Sequence, residues 1–204
     1  MIIIIDYKLS NLNGVKSAIN YLGFEALITN NHEHIIKSSK IILPGVGAFP
    51  DAMQNLENLN LVNVLNDVVI HNKKPFLGIC LGAQLICKES DEFGKNKGLG
   101  WIDATVKKIE INNLNLRLPH TGWDEVVNIK RSHLMNGINE KNNLFYYNHS
   151  HAIFSVNDED VAAYCEYGKK FASIIEKENI FATQFHPEKS QKNGLKLLKN
   201  FLCN

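Results

Sequence analysis

The chain has 204 residues, 45% hydrophobic and 21% charged, values that exclude a disordered polymer and suit a single domain over 1–204 with a substantial core. Its formal net charge of +1 gives no electrostatic case for nucleic acid or an anionic membrane as partner. The cysteines, Cys80, Cys87, Cys165 and Cys203, form no Cys-x-x-Cys pair, which argues against a zinc ribbon or a disulfide framework and for a reducing, cytoplasmic setting.

The opening run Ile2 to Ile5 is too short for a signal peptide or a membrane span. Its continuous β-branching predicts a central parallel strand covered on both faces. Leu12, Val15, Ala18, Ile19 and Leu22 share one helical face, and Gly23 ends that helix. Ala26 to Thr29 and Lys40 to Leu43 read as the next strands. This alternation predicts an α/β fold with a parallel sheet, whose ligand sites lie at the carboxyl ends of strands. A long helical region is predicted over 51–70. Beyond Gly98-Leu99-Gly100 the pattern turns β-rich: 105–111, the aromatic run 144–151, 161–164 and 174–175 read as strands, with Tyr167-Gly168 a turn. Leu114 to Leu118 leads into Pro119-His120-Thr121-Gly122-Trp123, read as a loop, and Gly194 to Phe201 reads as a packing helix.

Two stretches carry chemistry. In Phe76-Leu77-Gly78-Ile79-Cys80-Leu81-Gly82-Ala83-Gln84 an apolar strand turns sharply into a helix at Cys80. Gly78 and Gly82 let the backbone crowd where a side chain would clash. The arrangement is a nucleophile elbow with sulfur for oxygen. A helix N-terminus favours thiolate, and the Leu81 N–H is then free to face an oxyanion. A lone cysteine is more often a core residue, so a base is needed. Gln184-Phe185-His186-Pro187-Glu188-Lys189-Ser190 supplies one: His186 and Glu188 complete a nucleophile–base–acceptor set. Pro44-Gly45-Val46-Gly47 is either a strand-exit turn or a donor of backbone N–H to a site. His149 and His151 alternate as zinc ligands do, but no third ligand has sensible spacing, so neither a metal nor a cofactor is expected. His120 alone reads as a structural histidine, and Trp123 as core or partner-facing.

Taken with Asp6-Tyr7, Pro44 to Phe49, Pro119 to Trp123 and His149-Ser150, these motifs resemble class I (triad) glutamine amidotransferases over nearly the whole chain. The likeness is greatest to the glutaminase subunits of imidazole glycerol phosphate synthase. The resemblance implies a three-layer, flavodoxin-like α/β fold and hydrolysis of glutamine to glutamate and ammonia. It assigns Cys80, His186 and Glu188 to the triad, and Leu81 with Val46 or Gly47 to the oxyanion hole. Gly45, Gln84, Glu92, His149 and Ser150 would bind glutamine, with Glu92 on its α-ammonium group and the Ser150 backbone on its carboxylate. Glu92 otherwise reads as part of a solvated charged patch, and Gln84 as a solvated helix residue. The implied partner is a (β/α)₈-barrel cyclase in a heterodimer, with Trp123 and Lys189 on the docking side and histidine biosynthesis as the setting. A partner is chemically required, since free ammonia becomes ammonium at neutral pH and is then no nucleophile.

Three departures mark this chain. The family reads Asp-Tyr-Gly-x-Gly-Asn-Leu near its start, where this sequence has Asp6-Tyr7-Lys8-Leu9-Ser10-Asn11-Leu12. Ala83 replaces a bulkier apolar residue, and His151 replaces an aromatic one. They leave open a paralogue feeding ammonia to another acceptor, such as a bacterial surface sugar. A non-catalytic regulatory role is opposed by the intact triad, and a cysteine peptidase by Gln84 and the Pro-Gly-Val-Gly segment, which suit a small amide.

Overall fold

The computed structural model describes residues 1–9, 11–111, 115–127, 130, 132–139, 143–155 and 157–203. Ser10 and Leu114 of the stretches above lie outside the described residues. The first half alternates strand and helix: β1 (Ile2–Ile5), α1 (Leu12–Tyr21), β2 (Ala26–Thr29), α2 (His32–Ile36), β3 (Lys40–Gly45), α3 (Phe49–Asn58), α4 (Leu61–Leu65), β4 (Phe76–Cys80) and α5 (Leu81–Leu85). Strands then dominate: β5 (Cys87–Ser90), β6 (Asn96–Lys97), β7 (Ile102–Lys108), β8 (His120–Glu125), β9 (Leu144–His149), β10 (His151–Ser155), β11 (Val161–Tyr167), β12 (Lys169–Lys177) and β13 (Ile180–Thr183), before the last helix α6 (Gln191–Cys203).

The main sheet runs β2-β1-β3-β4-β13-β12-β10-β7-β5-β6, with β11 beside β12. From β2 to β13 every pair is parallel. From β13 through β12 and β10 to β7 the pairs are antiparallel. This antiparallel wing is the β-rich second half expected from the sequence. A separate two-stranded sheet joins β8 to β9.

All four residues of β1 are buried because successive side chains enter opposite layers. Ile3, Ile5, Ile41 and Leu43 pack under α3, α4 and α5, through Phe49, Leu56, Leu65 and Leu81. Ile2, Ile4 and Ile42 pack under α1 and α6, through Val15, Ile19, Leu197 and Phe201. Helices therefore cover both faces of the parallel core. Each isoleucine so buried contributes roughly 2 kcal/mol by area removed from water. Asn11 caps α1, its side chain accepting from the Gly14 N–H at 3.4 Å, and Gly23 ends it at φ +83°. No described helix is long and apolar enough to cross a membrane.

Three expectations are corrected. The helical region over 51–70 is broken at Asn60, which sits in the left-handed region at φ +53°, and continues as α4 and a π-helical turn over Asn66–His71. Pro119 to Trp123 is no loop beyond its first residue, since His120–Glu125 forms β8. The aromatic run is two strands. At Ser150 the chain leaves the small sheet, where β9 pairs with β8, and enters the main sheet, where β10 pairs with β7.

Candidate active site

The adjacent parallel strands β3, β4 and β13 end together, with Gly45 opposite Cys80 and Thr183 opposite Ile79. Three short segments thus emerge side by side at the carboxyl edge of the sheet, where an open α/β sheet forms its ligand crevice. Cys80 stands at the middle exit with φ +53° and ψ −107°, a strained backbone for a non-glycine residue. The flanking glycines serve close approach. A Cβ on Gly82 would lie 1.7 Å from the Leu43 carbonyl oxygen, and one on Gly78 would lie 2.8 Å from that of Gly82. With five residues, α5 lends the sulfur only a small dipole. A nearer donor is the Gln184 side chain, whose Nε2 is 3.9 Å from Cys80 Sγ.

His186 follows β13 and is buried. Its N–H donates to the Tyr146 carbonyl at 2.9 Å, and its own carbonyl accepts from Ser190 Oγ at 2.6 Å, which fixes the turn against β9. Glu188 Oε1 accepts from His186 Nδ1 at 2.9 Å, with both side chains 3% exposed. Among the described residues His186 Nε2 is buried with no hydrogen-bond partner other than the nearby Cys80 sulfur. Burial would depress this imidazole, but the nearby Cys80 sulfur and Glu188 outweigh it and push the pKa up to about 10. A charged sulfur and an ionised Glu188 thus both favour the protonated imidazole.

A cavity of about 250 Å³ opens in front of Cys80, lined by Val46, Gly47, Leu81, Gln84, Glu92, Pro119, Asn148, His149, Ser150 and His151. The sequence-predicted residues Gln84, Glu92, His149 and Ser150 all meet there. Gly45 does not line it. It lies in β3, where an added Cβ would come 2.1 Å from the Tyr7 hydroxyl and 2.8 Å from Leu81 Cβ. Val46 lines the cavity, but its N–H donates to the Leu9 carbonyl at 3.1 Å, so in this conformation that donor is engaged elsewhere. Gly47 has φ +112°. Glu92 is no solvated patch residue: Oε2 accepts from the Phe49 N–H at the start of α3, at 2.8 Å, and Oε1 lies 3.3 Å from His151 Nδ1.

Gln84 also departs from a solvated helix residue. Its Nε2 donates to the His151 carbonyl at 2.8 Å and to Gln184 Oε1 at 3.1 Å. Gln184 thereby links a cavity wall to Cys80, a contact no local spacing signals. His120 is likewise drawn in, with Nδ1 3.2 Å from His149 Nε2. The strand register that opposes His120 to His149 could not be read from either segment alone. Trp123 is 44% exposed, and Trp123 and Lys189 both lie against the Tyr146 ring, at 6.0 and 5.7 Å. They share one face beside a surface hollow lined by Trp123, Leu144 and Ser190 to Asn193.

Similarity to known proteins agrees with this geometry. The chain is 47% identical over 201 residues to "Imidazole glycerol phosphate synthase subunit HisH 1" of Campylobacter jejuni, covering 98% of each. It is 42% identical to the "Imidazole glycerol phosphate synthase subunit HisH" of Aquifex aeolicus, covering 98% of this chain and 94% of that one. The fold is similar to that of PurLQS from Thermotoga maritima, with a TM-score of 0.72 at 16% identity over 99% of this chain and 97% of that one. The family model "Glutamine amidotransferase class-I" matches residues 3–204, and so the elbow cysteine, the His-Pro-Glu turn and the sheet that joins them belong to a class-I glutamine amidotransferase.

Proposed function

We propose that the chain is the glutamine-hydrolysing subunit of an imidazole glycerol phosphate synthase, passing ammonia to a (β/α)₈-barrel cyclase in a heterodimer. The observation that carries the chemistry is the meeting of Cys80, His186 and Glu188 at the ends of the neighbouring strands β4 and β13, with Cys80 lining one cavity. The relatives' printed names support the pathway.

Cys80 thiolate attacks the side-chain carboxamide carbon of glutamine. The Leu81 N–H and a donor from Val46 or Gly47 stabilise the oxyanion, each worth about 3 kcal/mol. His186, whose protonated form Cys80 and Glu188 favour, gives its proton to the departing ammonia and then activates water on the thioester. Glu188 holds the His186 tautomer through the Nδ1 bond. Glu92 receives the α-ammonium group, and the backbone at Ser150 receives the carboxylate. The Val46–Leu9 bond makes the oxyanion segment a switch: it must open before Val46 can donate. Trp123 and Lys189 form the docking side. A cytoplasmic setting goes with this reading, because the thiol must stay reduced.

Glutamate release from glutamine, measured with and without the cyclase and its nucleotide ligand, tests the proposal. Strong stimulation that disappears in Cys80→Ala is expected. Turnover dependent on Cys80 but indifferent to that cyclase would instead favour the second reading, an ammonia supply for another acceptor. That alternative draws on Lys8, which stands where the family has glycine, next to the Leu9 carbonyl that engages Val46.

A further inference from the structure

His120 lies one ring behind the cavity and is buried, with its side chain 3% exposed. Its ring stacks on Tyr167 at 3.9 Å and on Tyr147 at 4.8 Å. Nδ1 is 3.2 Å from His149 Nε2, and Nε2 is 3.2 Å from Asp124 Oδ2. The protons in this chain can be assigned from its ends. His149 Nδ1 faces the His151 carbonyl at 2.8 Å, and a carbonyl only accepts, so that nitrogen carries a proton. Burial above all holds the His149 pKa down to about 3, so its ring is neutral and Nε2 accepts. His120 Nδ1 must then donate. Its other nitrogen faces a carboxylate, which also accepts when ionised. A neutral imidazole has one N–H and cannot serve both.

The remaining choice is an imidazolium on a carboxylate or an imidazole on a carboxylic acid. Two features favour the first. The Asp124 side chain is 37% exposed and keeps water for its charge. Two aromatic faces lie against the His120 ring, a setting that stabilises a cation. From β12 the ring meets only Phe171 among the described residues.

We propose that His120 is a positioning residue of the glutamine site, held as an imidazolium by Asp124 and acting through His149 on the Ser150 turn that receives the substrate carboxylate. This rests on the glutamine reading given above. The cation fixes the His149 proton on Nδ1 and thereby the His151 carbonyl, which also holds Gln84. Its positive charge favours a carboxylate in the cavity.

Asp124→Asn separates charge from position. The amide can donate to His120 Nε2, leaving a neutral ring that still donates to His149, so the hydrogen bonds survive without the cation. Nitrogen NMR of histidine-labelled protein at neutral pH should show both His120 nitrogens protonated in the native chain and Nδ1 alone in Asp124→Asn. In the cyclase-stimulated assay the KM for glutamine should rise about tenfold in Asp124→Asn, with kcat changed less than about threefold, and Asp124→Glu should restore it. A singly protonated His120 in the native chain, or an unchanged KM in Asp124→Asn, overturns the inference while leaving glutamine hydrolysis standing. A native chain that releases no glutamate under stimulation removes the glutamine reading, and the inference with it, whatever the nitrogens report.

Discussion

Lys8 illustrates how one side chain can sit against its backbone. Its φ is +70°, and its N–H donates to Asp6 Oδ1 at 3.0 Å in a tight turn. A side chain in the left-handed region costs about 1 to 2 kcal/mol, whereas glycine adopts it without strain but orders at a higher entropic cost. Lys8→Gly should therefore stabilise the chain by about 0.5 to 1 kcal/mol, read as a higher urea midpoint with an unchanged slope. A lower midpoint would mean that the lysine side chain makes a compensating contact. The sequence marks this position only as a departure from the family pattern, and the positive φ shows why glycine suits it. Cys80, His186 and Glu188 could be proposed as a triad from sequence because each lies in a short local motif. Gln184 was assigned no role and His120 only a structural one, because their contacts with Cys80 and His149 join segments 104 and 29 residues apart.

Among the elements, the elbow depends on close packing of α5 against β3 and β4. The Gly82 Cα faces the Leu43 carbonyl with no room for a methyl group, the obstacle being backbone and unable to rotate away. Gly82→Ala should destabilise the protein by about 3 kcal/mol or more and lower its thermal midpoint. A near-native midpoint would require α5 to shift, and glutaminase activity would then fall instead. The parallel core was readable because strand exits coincide with glycine and proline, and because β1 is uniformly β-branched. The wing was less so. The strand β8 is polar along much of its length and half-exposed, so nothing in its own residues distinguishes it from a loop. Its partner β9 supplies the hydrogen bonds that make it a strand. The break at Asn60 was similarly hidden, since apolar spacing continues across it.

For the whole molecule, the buried histidines make stability depend on pH, and His149 sets the acid side. In the fold it stays neutral down to about 3, while in the unfolded chain it takes a proton below its ordinary value of 6.5. Between those limits the unfolded state binds the extra proton, so stability falls as pH falls. No such penalty exists above 6.5. Across the full span the loss is on the order of 4 kcal/mol, a large share of the roughly 5 to 15 kcal/mol typical of folded proteins. The carboxylates add their own acid sensitivity, so the informative quantity is a difference between two proteins. His149→Gln replaces the ring with an amide that has no proton to gain. Urea unfolding of both chains at intervals from about pH 7 to about pH 4 should show the native protein losing stability more steeply, with the two curves diverging as pH drops. Parallel curves would mean that the site opens to admit water and lets His149 charge within the fold, and the neutral wall invoked for His120 would fail with it.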